Sequence, residues 1–310
     1  MLTNNSTIEI DDILENQEYT ANPFSPELSS NRLLKISTGG SLYILKIYKK
    51  KDCFENELDF MYLFMNNKCK VPRLVKYSSI NSSQSWILYE FVEGISLNQI
   101  KSQISSKTLK HIWKQVGKEL KKVHSISVFN KAEIESNKMD FVNRLKSSID
   151  NFSNHLDNKD ASAILVDAIH FLRNNLSRIK KTIFGIVLND FNDRHIIIRQ
   201  RKEKWTFNAF IDFERTCFGC PYVDIVGLYL NALLENQELE ECFLRGYESE
   251  RMNIDDHCIR FFLIYFGMEL CTVLRNINVN HYPFGLSLIE KTFERIDKLN
   301  EKLCTSTKKW

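Results

Sequence analysis

No stretch of this 310-residue chain approaches eighteen consecutive apolar residues, so no membrane span is expected. Neither sign of charge dominates. The 42 Lys and Arg against 39 Asp and Glu leave a formal net charge of +3, and the pI is about 8.3. That balance gives no ground for nucleic acid or a membrane surface as partner. The eight cysteines form no framework. Cys53, Cys69, Cys242, Cys258, Cys271 and Cys304 stand singly, and the C-x-x-C of Cys217 and Cys220 lacks a second pair at metal-ligand spacing. The opening MLTNNSTIEIDD is polar and acidic, without the pattern of a secretory leader. Free thiols in a reducing, cytoplasmic setting are therefore expected. There is no internal repeat and no low-complexity tract beyond the Ser-rich loop at 78–84.

What is present is a folding composition. Hydrophobic residues make up 43% and aromatics 12%, enough for one large or two ordinary domains with a substantial core. Residues 1–24 read as a polar extension. NRLLKI (31–36), a turn at STGG (37–40) and SLYILKIY (41–48) read as a β-hairpin. Phe54, Leu58, Met61 and Tyr62 repeat at helical spacing over 52–66, and LVKY (74–77) and SWILYEFV (85–92) read as strands. After Gly94 the texture turns helical. Leu109, Ile112, Trp113, Val116, Leu120 and Val123 share one helix face, as do Ile164, Leu165, Ala168, Ile169 and Leu172. Segments 223–234 and 257–275 are apolar on most sides, and a last amphipathic helix carries Ile289, Phe293, Ile296 and Leu303.

Strands interrupt this helical part at 184–213, where two aspartates stand twenty-two positions apart. Asp190 lies in IVLNDFNDRHIII and Asp212 in NAFIDFER, each beside a β-favouring apolar run. The intervening RQRKEKW (199–205) is polar and reads as a hairpin turn. Two antiparallel strands would bring both carboxylates to one end of a ribbon. Converging acids in an apolar setting suit a divalent metal and a hydroxyl that attacks phosphorus. An aspartate beside a strand often only caps a turn. The pair, with Lys46 upstream in a strand-like run, outweighs that reading.

In order, the chain presents a hairpin with a strand lysine, a helix with a glutamate, Y-E-F-V-E-G, a helix ending L-K-K-V-H, D-x-x-x-x-H, I-D-F-E and G-x-P-x-x-D. This order resembles the aminoglycoside phosphotransferase and choline kinase superfamily, over residues 31–230 or so. The resemblance implies an α+β, two-lobed protein-kinase-like fold, with a small β-rich N-lobe and a larger, mostly helical C-lobe. It divides the chain into an extension (1–24), a nucleotide-binding N-lobe (25–93) and a C-lobe with the catalytic loop and acceptor site (94–310).

The same resemblance assigns roles. Lys46, pointing inward from its strand, needs a partner, and Glu57 on the next helix is the expected one, with Glu55 turned about 160° away. Together they would serve the α- and β-phosphates. The phosphate-covering loop is expected around Ser25–Asn31. SPELSSNR has no glycine, so Ser29 and Ser30 are the candidate donors. Glu90 and Val92 are the candidates for holding a purine ring through their backbone. Asp190 resembles the catalytic acid that orients the acceptor hydroxyl, although the family's H-G-D is Leu188-Asn189-Asp190 here. His195, where the family usually has Asn, and Asp212 are the candidate Mg²⁺ ligands. His124 and Asp224 read as structural, the latter capping the helix at 223–234.

The implied reaction is Mg²⁺-dependent transfer of the γ-phosphoryl group of a nucleoside triphosphate, ATP or GTP, to a hydroxyl on a small molecule. An aminoglycoside-like acceptor comes first, with a choline, sugar or homoserine type of metabolite kinase as alternative. Acids such as Glu214, Glu235, Glu238, Glu240, Glu241 and Glu269 would suit a polycation; Trp113, Tyr222, Tyr247, Tyr265 and Phe266 could build a cage for a choline-type acceptor. A non-catalytic nucleotide-binding pseudokinase is the alternative of another class, motivated by Leu188, Asn189 and the glycine-free loop. Lys49–Lys51 and the group Arg199, Arg201, Lys202 and Lys204 read as solvated faces.

Overall fold

The computed structural model describes residues 10–15, 17–24, 31–80, 82–128, 130–156, 162–248 and 256–307. The chain divides into two compact units. The first comprises residues 1–126, 188–217 and 231–249, and the second comprises 127–187, 218–230 and 250–310.

The first unit opens with helix α1 (Ile10–Ile13) and a five-stranded antiparallel sheet of order β1-β2-β3-β5-β4. Its strands are β1 (Tyr19–Pro23), β2 (Arg32–Thr38), β3 (Ser41–Ile47), β4 (Leu74–Tyr77) and β5 (Trp86–Glu90), with helix α2 (Lys51–Asn66) between β3 and β4. Gly39 and Gly40 join β2 to β3 with φ of +55° and +77°. Two positive φ values are what the tight primed turn of a hairpin requires, and glycine adopts them without strain.

Strand alternation sorts the sheet into two faces. Leu34, Ile36, Leu45, Ile47 and Leu88 pack on one face, together with Ile13 and Leu14 from the N-terminal segment. Each fully buried aliphatic side chain there contributes about 1.5–3 kcal/mol. The other face carries Lys46 opposite Ile87 and Ile44 opposite Tyr89.

The reading of 1–24 as an extension is therefore corrected in part. Residues 19–23 pair with β2 from Tyr19↔Thr38 to Pro23↔Leu34, and Ile13 and Leu14 belong to the sheet's core. In YTANP only Tyr19 and Ala21 alternate inward, packing against that core, and the rest of its place rests on backbone hydrogen bonds along the sheet edge. Side-chain pattern cannot report that.

The first unit continues with β6 (Ile95–Ser96), α3 (Leu97–Ile100) and α4 (Ser106–His124). In the second unit come α5 (Lys131–His155), α6 (Ala163–Ile179) and β7 (Gly185–Val187). Asn130 and Glu133 form a capping box that starts α5. Back in the first unit, β8 (Ile196–Arg201) and β9 (Lys204–Phe210) complete a three-stranded sheet of order β6-β8-β9. The expected hairpin turn at 199–205 shrinks to Lys202 and Glu203, with φ of +45° and +63°. Arg201 and Lys204 are already paired strand residues.

In the second unit, β10 (Cys217–Gly219) pairs with β7, and α7 (Tyr222–Leu228) follows. Asp224 lies buried within the first turn of α7, whose N-cap is Pro221, so it does not cap that helix from the N-cap position. Helix α8 (Gln237–Tyr247) belongs to the first unit and packs on α4 at close range. A Cβ on Gly117 would collide with the Phe243 carbonyl oxygen, and one on Gly246 with that of Lys114. His124 joins this contact through Nδ1, 2.6 Å from the Tyr247 hydroxyl. The second unit ends with α9 (Asp256–Cys271) and α10 (His281–Thr307). Among the described residues no helix is long and apolar enough to cross a membrane.

Candidate active site

Lys46 is the centre of a buried ion cluster. Its residue exposure is 6%, and its Nζ lies 2.7 Å from Glu57 Oε2, 2.7 Å from Asp212 Oδ1 and 3.1 Å from Glu214 Oε2. β3 supplies the lysine and α2 the glutamate. The loop after β9 supplies both other acids. Burial alone would lower the lysine's pKa, but Glu57, Asp212 and Glu214 outweigh it and raise it above the ordinary value. Glu55, the competing acid on α2, pairs with Lys51 at the surface instead.

Glu57 is held from three sides. Besides Lys46, its Oε2 accepts from the Tyr48 hydroxyl at 2.7 Å, and its Oε1 accepts from the Phe213 backbone N–H at 3.4 Å. Tyr48 in turn lies 2.8 Å from the Tyr89 hydroxyl. Burial first, then the negative charge of Glu57, pushes both phenols well above their ordinary pKa, so they stay neutral donors.

Asp212 adopts φ +69°, a left-handed conformation uncommon outside glycine. Its neighbours over-determine that conformation. Phe213 is buried against Phe64 of α2, with ring centroids 5.1 Å apart. Asn56 Nδ2 donates to the carbonyls of Glu214 and Thr216 at 3.0 and 2.8 Å. Burial favours the neutral acid at Asp212, but Lys46, then His195 and Arg215, reverse this and lower its pKa. His195 Nε2 lies 3.8 Å from Asp212 Oδ2.

Glu57, Asp212 and Glu214 offer carboxylate oxygens within 4.8 Å of one another. An all-oxygen donor set suits Mg²⁺. Glu57 has both oxygens engaged, by Lys46, Tyr48 and the Phe213 N–H. Lys46 meets Asp212 through Oδ1 and Glu214 through Oε2 only, so Asp212 and Glu214, with His195 beside them, are the residues fit to hold such an ion. Glu214 was missed as a candidate ligand. The signal was the carboxylate two positions after Asp212 in I-D-F-E.

Asp190 is exposed, and its Oδ2 lies 3.5 Å from Arg215 Nε. The residue before it, Asn189, has φ +63°. Asparagine is among the residues that best tolerate this region after glycine. The loop from Asp190 to His195 is fastened by its own residues, by β6 and by the C-cap of α3. Asn192 Oδ1 accepts from the Arg194 N–H at 3.0 Å, and Ser96 Oγ donates to the Arg194 carbonyl at 2.9 Å. Lys101 Nζ donates to Asp193 Oδ2 at 2.6 Å and to the Asn231 carbonyl at 3.1 Å. Periodicity carries no sign of these contacts, since they link polar residues far apart in sequence.

At the end of β5, Glu90 donates its N–H to the Arg73 carbonyl, and its Oε1 lies 3.1 Å from Arg73 Nε. Val92 follows two positions on and is half-buried. Ser29 and Ser30 lie outside the described residues. Trp113 and Tyr247, considered for an aromatic cage, are core residues at 1% exposure, because α4 and α8 close over them. Cys220 is buried, and burial pushes its thiol up to about 11. Among the described residues no metal-ligating group includes a cysteine.

Residues 20–262 match the profile of a family described as the phosphotransferase enzyme family. A search of curated proteins finds no match. Solved structures do match. A putative aminoglycoside phosphotransferase from Ralstonia eutropha aligns at 15% identity over 91% of this chain and 93% of that one, with a TM-score of 0.69. A spectinomycin phosphotransferase, solved with ADP and spectinomycin, aligns at 13% identity over 92% and 97%, with a TM-score of 0.58. An ethanolamine kinase of Plasmodium vivax aligns at 15% identity over 88% and 81%, with a TM-score of 0.58. These likenesses show the fold: α+β and protein-kinase-like, with a small β-rich N-lobe and a larger, mostly helical C-lobe.

Proposed function

We propose, for a chain that belongs to the phosphotransferase enzyme family and is a phosphotransferase with an alcohol group as acceptor, that the Lys46 cluster is its nucleoside triphosphate site and Asp190 its catalytic acid. The carrying observation is Lys46 Nζ at 2.7 Å from both Glu57 and Asp212. In this reading the lysine binds the α- and β-phosphates and Glu57 holds it in place, its own position fixed by Tyr48 and the Phe213 N–H. The Glu90 carbonyl and Val92 N–H receive the purine of ATP or GTP, and Ser29 and Ser30 cover the phosphates. Residues 25–93 then form the nucleotide-binding lobe, joined by β1, and residues 94–310 carry the catalytic loop and acceptor site.

Asp212, Glu214 and His195 are the residues that would hold Mg²⁺, which when bound neutralises charge on the transferring phosphoryl group. Asp190 accepts a hydrogen bond from the acceptor hydroxyl, aligns it and takes its proton late in a loose transition state. Arg215, with Nε 3.5 Å from Asp190 Oδ2, helps orient that side chain. Asn189 at φ +63° fits the place where the family carries glycine, which removes one ground for a non-catalytic reading.

An aminoglycoside-like acceptor is the first reading of the substrate, in line with the relatives of this fold. A metabolite hydroxyl is the second. It is favoured by the Arg215 cation beside Asp190, which works against a polycation. The test is an ADP- and GDP-release assay with Mg²⁺ over a panel of aminoglycosides, spectinomycin, choline, ethanolamine, homoserine and sugars. Expression in a susceptible bacterium would run alongside it. Turnover with an aminoglycoside and a raised inhibitory concentration support the first reading. Turnover confined to a metabolite supports the second, and no acceptor-dependent turnover on any panel member counts against both.

A further inference from the structure

In the basic run of the β8–β9 hairpin, Arg201, Lys202 and Lys204 are exposed, as expected, and Arg199, Arg201 and Lys204 also line a cavity. Arg199 stands opposite Thr206, and Arg201 opposite Lys204, so the three cations share one face of the ribbon. A cavity of about 590 Å³ is bounded by that face together with Lys70, Gln115 and Asn208. Lys70 enters from the segment after α2, with its Nζ 5.2 Å from the centroid of the Phe207 ring. Gln115, on α4, spends its Oε1 on the Phe207 N–H at 2.9 Å, which leaves its amide N–H groups as donors.

Three things set this cavity apart. Arg201 and Lys204 are direct cross-strand partners, and like charges so placed destabilise a sheet. Among the described residues no carboxylate lies within ion-pair distance of Lys70, Arg199, Arg201 or Lys204. Arg201 also stands six residues past His195 along an extended strand, about 20 Å away, well clear of Asp212.

We propose that this cavity is a second ligand site, specific for a small phosphate-bearing anion. An anion placed between Arg201 and Lys204 turns their repulsion into two charge-assisted contacts, and guanidinium forks match phosphate oxygens bidentately. The volume falls in the range of small-molecule sites, about 300–1,000 Å³. The cations converge on one concavity from three chain segments, which suits a compact multivalent anion better than an extended acidic peptide.

The probe is inorganic pyrophosphate, titrated into the full chain without Mg²⁺. Binding is followed by calorimetry and by amide hydrogen exchange read by mass spectrometry. Slowed exchange in peptides covering 199–208 is expected. The R201Q/K204Q variant should lose that protection and bind at the cavity at least about tenfold more weakly. Without anion its melting temperature should equal or exceed the parent's, since a like-charge pair is gone. Lys70→Gln tests the cavity without touching the hairpin and should weaken the same protection. Protection confined to segments around Lys46 and Asp212 would overturn the proposal. So would protection at 199–208 that survives in R201Q/K204Q, or tighter binding of hexaglutamate than of pyrophosphate. None of these outcomes bears on the phosphotransferase reading, because the variants leave Lys46, Asp190 and Asp212 intact.

Discussion

Lys101 Nζ lies 2.6 Å from Asp193 Oδ2, and Asp193 is buried three residues past Asp190 and two before His195. The same ammonium holds the Asn231 carbonyl, so one side chain from the C-cap of α3 fixes the loop between the proposed catalytic acid and a proposed metal ligand. Lys101 is a positioning residue in this scheme, since it acts through Asp193. Lys101→Met leaves a buried carboxylate unpaired, which is costly. The expected result is a kcat lowered by about tenfold or more with the nucleotide KM little changed, because the Lys46 end of the site is untouched. Lys101→Arg should restore most of kcat. Equal losses in kcat and nucleotide KM, or no rescue by arginine, would point to general destabilisation instead.

Asp190 is exposed and meets the Lys46 cluster only indirectly, through Arg215. Asp190→Asn should therefore leave ATP or GTP affinity within about twofold, while phosphoryl transfer falls by about 10²–10⁴-fold, the range of a lost general base. Isothermal titration with nucleotide and a single-turnover transfer assay measure the two separately. Parent-like turnover in the variant would remove Asp190 from the mechanism.

Much of this arrangement could be read from residue order, and the limits of that reading have physical causes. Lys46 declared itself as a cation pointing inward from its strand, and Glu57 as the α2 acid on the appropriate side. Strand and helix periods report such faces directly. Asp212 followed from the apolar run before it. Three parts were not legible. Ile10, Ile13 and Leu14 pack on the sheet's core from a single helical turn, and residues 19–23 pair along its edge with only Tyr19 and Ala21 facing inward, so both patterns are too short to stand out. Glu214 enters the cluster because φ +69° at Asp212 turns the chain back on Lys46, a conformation that sequence does not announce for aspartate. The third part is the set of contacts Asn56 makes with the Glu214 and Thr216 carbonyls, which depend on tertiary proximity alone.

The crossing of α4 and α8 offers a test of the frame behind the site. Gly246 faces the Lys114 carbonyl and Gly117 the Phe243 carbonyl, so neither helix can shift without bringing backbone against backbone. Gly246→Ala should destabilise by about 1–3 kcal/mol, the usual cost of overpacking. Helix propensity alone predicts the reverse, a gain of about 1 kcal/mol. Urea unfolding of the variant decides between them, and a stabilised variant would mean that the two helices do not approach this closely.

Acid titration tests the Lys46–Asp212 pair itself. Burial raises the Asp212 carboxyl, but Lys46, then His195 and Arg215, overcome it and leave the folded-state pKa below the ordinary value. A carboxylate lowered on folding contributes its full stability above its unfolded pKa, and loses it as pH falls through the folded one. The Asp212 contribution should thus be constant above about pH 5 and fade below about pH 4. Lys46 is raised on folding, so its contribution is complete below its unfolded pKa and is lost only in strong alkali; it leaves the acid limb unchanged. Urea unfolding of the parent and of Asp212→Asn, from about pH 3 to about pH 8, isolates this difference. The stability gap between the two proteins should be flat at neutral pH and close on the acid side. A gap that widens below about pH 4 would mean that Asp212 is protonated in the folded protein and that Lys46 takes its charge from Glu57 and Glu214 alone.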